Sequence, residues 1–174
     1  MEIRNVVPLG ITKKHYNMWD DSEFKCIALI DTNNNVISLT KKIISYFLTL
    51  TDDCVVCFQF FTDIDRDYVR KELVGDIPIL EYSPKILILH INNDTKWQHI
   101  IDNWGAYDDL KFIFYSGGRI VERTNIETIF QRGKKFIDYL SGNEISVIIS
   151  DSGDGEEVEI IVQNKLYNNI IEII

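Results

Sequence analysis

Alanine is almost absent from this chain: 174 residues hold two, Ala28 and Ala106, against 29 isoleucines. Ala is the strongest helix former and Ile is β-branched, so the balance tilts toward sheet. Asn is also abundant at 13, as an A/T-rich coding bias produces, so this tilt bears on fold and not on function. Long apolar runs are missing too. Nothing approaches the ~18 residues that a membrane helix needs, and Met1-Glu2-Ile3-Arg4-Asn5 lacks the apolar stretch of a signal peptide. The expectation is a cytoplasmic protein with no membrane partner. Positive charge is in deficit, 18 Lys+Arg against 27 Asp+Glu, for a net charge of −9. That argues against general nucleic-acid binding through phosphates, although a local basic face survives such a balance.

Three cysteines, Cys26, Cys54 and Cys57, make an odd set, as a reducing compartment permits. Cys54-Val55-Val56-Cys57 has redox-motif spacing, yet it opens the apolar run to Phe61, which reads as a buried strand. Residues three apart on a strand point to opposite faces, so the two sulfurs diverge. A zinc site needs a second ligand pair, and none exists at similar spacing. No metal and no cofactor is expected from these residues.

The chain predicts three strand–turn–strand units. The first joins Phe24–Ile30 to Val36–Leu39 through an Asp/Asn tract, with a helix starting at Val36 as its rival. The second turns at Gly117-Gly118, between 111–116 and 119–122. The third joins Ile145–Ile149 to Glu156–Val162. Helices are expected over Thr40–Leu50, after the capping box Thr124-Asn125-Ile126-Glu127, and after Thr95-Lys96-Trp97-Gln98. The second of these is expected to bury Ile126, Ile129, Phe130, Ile137 and Leu140. Cys54–Phe61 and Lys85–Ile91 read as strands, Arg66–Val74 as a short helix, and Lys165–Ile174 as either. Near-continuous apolar strands require cover on both faces. The prediction is one α+β domain over residues 1–174, with a mixed or largely antiparallel sheet built from hairpins in ββα units and helices packed on it.

Catalytic patterns are scarce. There is no Gly-x-Ser-x-Gly, no Ser-x-x-Lys and no P-loop. Of the three histidines, His15 reads as a surface residue, His90 ends a buried strand, and His99 lies one turn from Asp102, a spacing that lets them pair. The enzyme reading with most support is divalent-metal phosphoryl transfer or hydrolysis through strand-end carboxylates, Asp31, Asp151 and Asp154. Strand ends are also where Asp serves turns.

Charge is unevenly spread. From Glu144 to Ile174 seven acids face Lys165 alone, a balance of −6, while 111–135 carries +4. Glu157 and Glu159 share one strand face, opposite Val158, Ile160 and Val162. The residues expected to contact a partner are Asp151, Asp154, Glu156, Glu157 and Glu159, with Tyr16, Trp19, Tyr107 and Tyr115 as aromatic anchors. Small size, acidity and the lack of a catalytic set together suit an immunity or antitoxin protein that docks on a basic toxin domain, such as a nuclease. A regulatory or scaffold domain is the third expectation.

Overall fold

The computed structural model describes residues 2–30, 35–51, 53–60, 62–82, 85–103, 109–115, 128–142, 145–151 and 157–174. In chain order the elements are β1 (Glu2–Asn5), β2 (Phe24–Ile30), α1 (Asn35–Thr51), β3 (Asp53–Gln59) and α2 (Asp63–Tyr68), which runs into a π-helical turn, Val69–Leu73. There follow β4 (Ile79–Tyr82), β5 (Ile86–Asn92), α3 (Gln98–Asp102), β6 (Asp109–Tyr115), α4 (Lys134–Gly142), β7 (Ile145–Asp151), β8 (Glu157–Gln163) and α5 (Tyr167–Ile173). The eight strands form one sheet in the order β1-β2-β8-β7-β6-β3-β5-β4, and every neighbouring pair is antiparallel. This is the α+β class that the hairpins and apolar strands predict.

Alternation along the strands makes two apolar faces. The first carries Leu29, Val56, Leu89, Phe112, Ile149 and Ile160 and packs against α1, α3 and α5. The second carries Cys57, Ile88, Ile113, Ile148 and Ile161 and is covered by Ile11, Phe136, Tyr139 and Leu140. Its lid is therefore α4 together with the chain between β1 and β2. A bulge where Phe114 pairs with Val147 but Tyr115 pairs with Ile145 lets Ile145 join the second face.

Several expectations are corrected. The first hairpin does not form: β2 is followed by α1, in which Val36, Leu39, Ile43, Ile44, Phe47 and Leu48 are all buried. Their spacing of 3, 4, 1, 3 and 1 is one unbroken helical stripe, so the rival reading of Val36 prevails. In the second hairpin, β6 has β3 and β7 on its two sides, while 119–122 lies outside the described residues, as do Ile126 and the Thr124–Glu127 box. Thr95 caps a turn rather than a helix, donating to Asn92 Oδ1 at 2.8 Å. The third hairpin is present, β7 pairing with β8 from Val147↔Val162 to Asp151↔Val158. The tail is helical, and Ile170 is its buried anchor.

The helix expected after residue 124 is interrupted. A 3-10 turn at 128–130 gives way at Gly133, whose φ is +72°, and α4 starts only after it. Gly133 N–H donates to Gly10 O at 2.6 Å, and a Cβ there would lie 2.7 Å from His15 Nδ1. A side chain is excluded both by the left-handed backbone and by the close approach. As a result α4 buries Phe136, Tyr139 and Leu140, while Ile137 is only half-buried.

Candidate functional site

One end of the sheet gathers the acidic segments. β2 ends at Ile30, which pairs with Glu157 at the start of β8, and Asp151 at the end of β7 pairs with Val158. Lys111, near the start of β6, pairs with Ser150. The chain thus leaves β2 toward Asp31 at this end, and the β7–β8 connection carrying Asp154 and Glu156 begins and finishes here. The approach to β6, with Tyr107, arrives at the same end. Asp31, Tyr107, Asp154 and Glu156 themselves lie outside the described residues. Of the acids singled out in the sequence, the described strands place Asp151 and Glu157 at this end.

Immediately inside this end, the second face carries a row that is not apolar. Register sets Ala28, Glu159, Ser150 and Lys111 side by side across β2, β8, β7 and β6. Glu159 is 6% exposed and Ser150 3%. The backbone N–H of Leu9 donates to Glu159 Oε2 at 2.7 Å, so the segment between β1 and β2 is pinned directly on the carboxylate. Burial raises the Glu159 pKa, opposed in turn by the Leu9 amide, Lys111 and the Cys26 thiol. Burial also pushes the Cys26 thiol well up, and the neighbouring Glu159 adds to that. Lys111 Nζ stands 3.1 Å from Asp109 Oδ1 and 5.6 Å from the Phe130 ring centroid.

Of the expected contact residues on β8, Glu159 is therefore withdrawn from the surface and Glu157 keeps partial exposure. Glu157 and Glu159 do share a strand face, with Val158, Ile160 and Val162 on the other. That face lies beneath the N-terminal cover, which leaves Glu157 half-buried and Glu159 buried. Tyr115 is 5% exposed, and its hydroxyl bonds that of Tyr139 at 2.8 Å within the second core. Burial raises the pKa of both phenols.

Tyr16 and Trp19 belong elsewhere. Tyr16 lies within a 3-10 helix, Lys13–Met18, that follows the first residues of the cover, and Trp19 caps its C-terminal end. Trp19 lines a groove with Phe24, which begins β2, whereas Glu157 pairs with Ile30, which ends it. Seven residues of strand put the two groups about 20 Å apart. Tyr16 is 48% exposed, and Trp19 Nε1 donates to Asp21 Oδ1 at 2.6 Å. The six expected contacts that are described thus divide between opposite ends of the sheet and its interior.

The remaining chemistry is sparse. Cys54 lies in the first core and Cys57 in the second, so the sulfurs diverge across the sheet as the strand reading requires; all three cysteines are buried thiols. Asp102 pairs with Lys41 of α1. Among the described residues no group of three or more His, Cys, Asp or Glu is placed to hold a metal ion. A cleft of about 480 Å³, lined by Asn5, Val6, Val7, Asp21, Lys25, Cys26 and Tyr167, opens where the chain leaves β1. It offers one carboxylate, one amine and a protonated thiol. No described helix is long and apolar enough to cross a membrane.

These features define an antiparallel α+β domain, layered on both faces, whose acid-bearing connections share one sheet end. Comparison with known proteins finds no matching family model, no matching curated protein and no matching solved structure.

Proposed function

We propose that this chain is a non-catalytic, acidic docking domain of the immunity or antitoxin type, acting in the cytoplasm on a basic partner such as a nuclease toxin domain. The observation that supports it is the meeting of strand ends: Ile30 pairs with Glu157 and Asp151 pairs with Val158, so acid-rich connections leave the sheet together. Acids concentrated at one end attract a basic cleft and orient its approach. Such a surface occupies the cleft in place of the phosphates of a nucleic-acid substrate.

The test is inhibition of a purified basic nuclease domain encoded beside this chain's gene. The expected result is inhibition that weakens with added salt and falls at least about tenfold in Glu156→Lys with Glu157→Lys, since each desolvated charge pair in such an interface is worth about 1.5 kcal/mol or more. Glu159→Lys is not a fair probe, because it places a cation in the core. Full inhibition by the double reversal removes the sheet end as the contact. No binding to such a domain at any salt concentration rejects the reading.

The same convergence favours one second reading, a divalent-metal hydrolase or phosphoryl-transfer enzyme using Asp31, Asp151 and Asp154. Calorimetric titration with Mg²⁺ and Mn²⁺ separates the two. Heat that disappears in Asp31→Asn and Asp151→Asn supports the enzyme, and no heat at millimolar metal dismisses it.

A further inference from the structure

The sheet has two outer strands, β1 and β4, and their edges differ. β4 is broken by a bulge between Ile79 and Glu81, a device that blunts an edge against further pairing. β1 runs against β2 without interruption, from Glu2↔Ile30 to Asn5↔Ile27. All four of its residues are exposed, and neither core takes a side chain from it. Just past the strand, Val6 N–H donates to Cys26 O at 3.0 Å, so Val6 turns its peptide groups toward β2. The two-residue period of a strand turns those of Glu2 and Arg4 the same way, and those of Ile3 and Asn5 outward. Among the described residues no backbone group bonds Ile3 or Asn5 on that outer side.

An open edge accepts another strand, and the charges on β1 select a second copy of itself. Ile3 pairs with Leu29 of the first core, so Glu2 and Arg4 lie on the second face, one on each side of it. Antiparallel pairing of two copies about a two-fold axis joins outward residues to outward residues, which leaves few registers. With Ile3 opposite Ile3, each Glu2 faces the other copy's Arg4. Sliding two residues one way sets Arg4 against Arg4, and the other way Glu2 against Glu2. Opposite charges across a strand pair stabilise it and like charges destabilise it, so the Ile3-centred register wins. Arg4 already bonds Glu2 along its own strand at 2.6 Å, and across the axis the four groups alternate in sign around a square. The row that begins at Glu2 continues through Ile30 to Glu157, so a second copy's Arg4 extends a row holding two acids. We infer that this chain forms a homodimer through β1, antiparallel and centred on Ile3, which joins two eight-stranded sheets into one. The two Ile3 residues exchange their N–H···O bonds, and their side chains, each 40% exposed in the single chain, meet on the first face. This inference goes beyond the docking role and does not rest on it.

Analytical ultracentrifugation over a range of chain and salt concentrations tests it, with hydrogen exchange to locate the contact. Four residues of strand make a weak dimer, so wild type is expected to associate at or below about 1 mM chain in low salt, and to loosen as salt rises. Glu2→Arg makes the strand basic at both charged positions, and Arg4→Glu makes it acidic at both. Each variant alone sets like charges opposite each other and is expected to self-associate about tenfold more weakly. Mixed, the two restore opposite signs at every pair and are expected to form a heterodimer, whose recovery shows that both are folded. The Ile3 amide, which points away from β2, is expected to exchange more slowly as wild-type concentration rises. A wild-type monomer at about 1 mM chain in low salt overturns the inference. So does self-association that both variants leave unchanged, a mixture of folded variants that gives no heterodimer, or a dimer whose Ile3 amide exchanges as fast as the monomer's.

Discussion

Replacing Glu159 tests the coupling between the sheet and its N-terminal cover. Glu159 is nearly fully buried, and its Oε2 accepts the Leu9 amide at 2.7 Å. Glu159→Ala leaves that amide without its acceptor, which costs about 1–3 kcal/mol before any loss of packing. Glu159→Gln keeps an acceptor of the same reach and removes the charge. The contrast between the two depends on pH. Burial raises the carboxyl's folded-state pKa above its ordinary value of 4.5, against the lowering by Leu9, by Lys111 on β6 and by Cys26 on β2, and with a smaller push from Glu157 on β8. An acid with a raised folded pKa favours the folded state fully while protonated, below its unfolded pKa. That share is lost as pH rises through the folded pKa.

Wild-type stability from this group should therefore fall on going from pH 4 toward neutrality, and Glu159→Gln should gain relative to wild type over the same interval. Urea unfolding at several pH values reads the difference directly, with Glu159→Ala below both. Hydrogen exchange at the Leu9 amide gives the local view, accelerating in Glu159→Ala and staying slow in Glu159→Gln. A wild-type-minus-Gln difference that is flat with pH, or a Leu9 amide indifferent to Glu159→Ala, refutes the reasoning.

Gly133→Ala should destabilise by about 1–2 kcal/mol from its left-handed backbone alone, more with the 2.7 Å approach to His15; thermal unfolding measures it, and Gly75→Ala, at φ +58° with open space around its Cβ position, shows the backbone part by itself. Tyr115→Phe and Tyr139→Phe should each cost about 0.5–1.5 kcal/mol by breaking the hydrogen bond between the two buried hydroxyls, while the double variant costs less than the sum, and a double-mutant cycle reads that coupling. Cys26, Cys54 and Cys57 should resist a thiol reagent in the folded protein and all react in denaturant, and no oxidant should join Cys54 to Cys57 without unfolding, because they occupy opposite faces of the sheet.

What the sequence revealed was whatever a local period or a local break could carry. The strand at Cys54, the strand at Ile86, the last hairpin and the stripe of α1 each follow from side chains a few positions apart. The divergence of Cys54 and Cys57 follows from the same rule. Where two local patterns competed, or where a choice depended on distant chain, the nearest residues did not decide. Val36-Ile37-Ser38-Leu39 suits a returning strand as well as a helix, and only the stripe extending to Leu48 decides it. Gly133 looks like an ordinary interruption until Gly10 and His15 arrive from the other end of the chain. β1 and β4, each four residues long, are too short to show alternation and are strands because β2 and β5 offer an edge.

Charge was the least legible property, for a reason of geometry. Period-two alternation correctly separated Glu157 and Glu159 from Val158 and Ile160, but alternation says only that two faces differ, not which one meets water. In a sheet covered on one face alone, the acidic side is the wet side. Here both faces are covered, and the second cover is the chain from Val6 to Trp19 together with α4, so a charged residue facing that way is buried and bonded to backbone. The same covering chain carries Lys13 and Lys14 to Arg132 and Lys134, more than 110 residues away in sequence, and sets Asp20 and Glu23 against the far part of α4. A balance computed over consecutive residues averages over such meetings. For this chain the −9 total is a sum over groups that the fold gathers from distant segments, and it fixes neither which of them meet nor which of them face water.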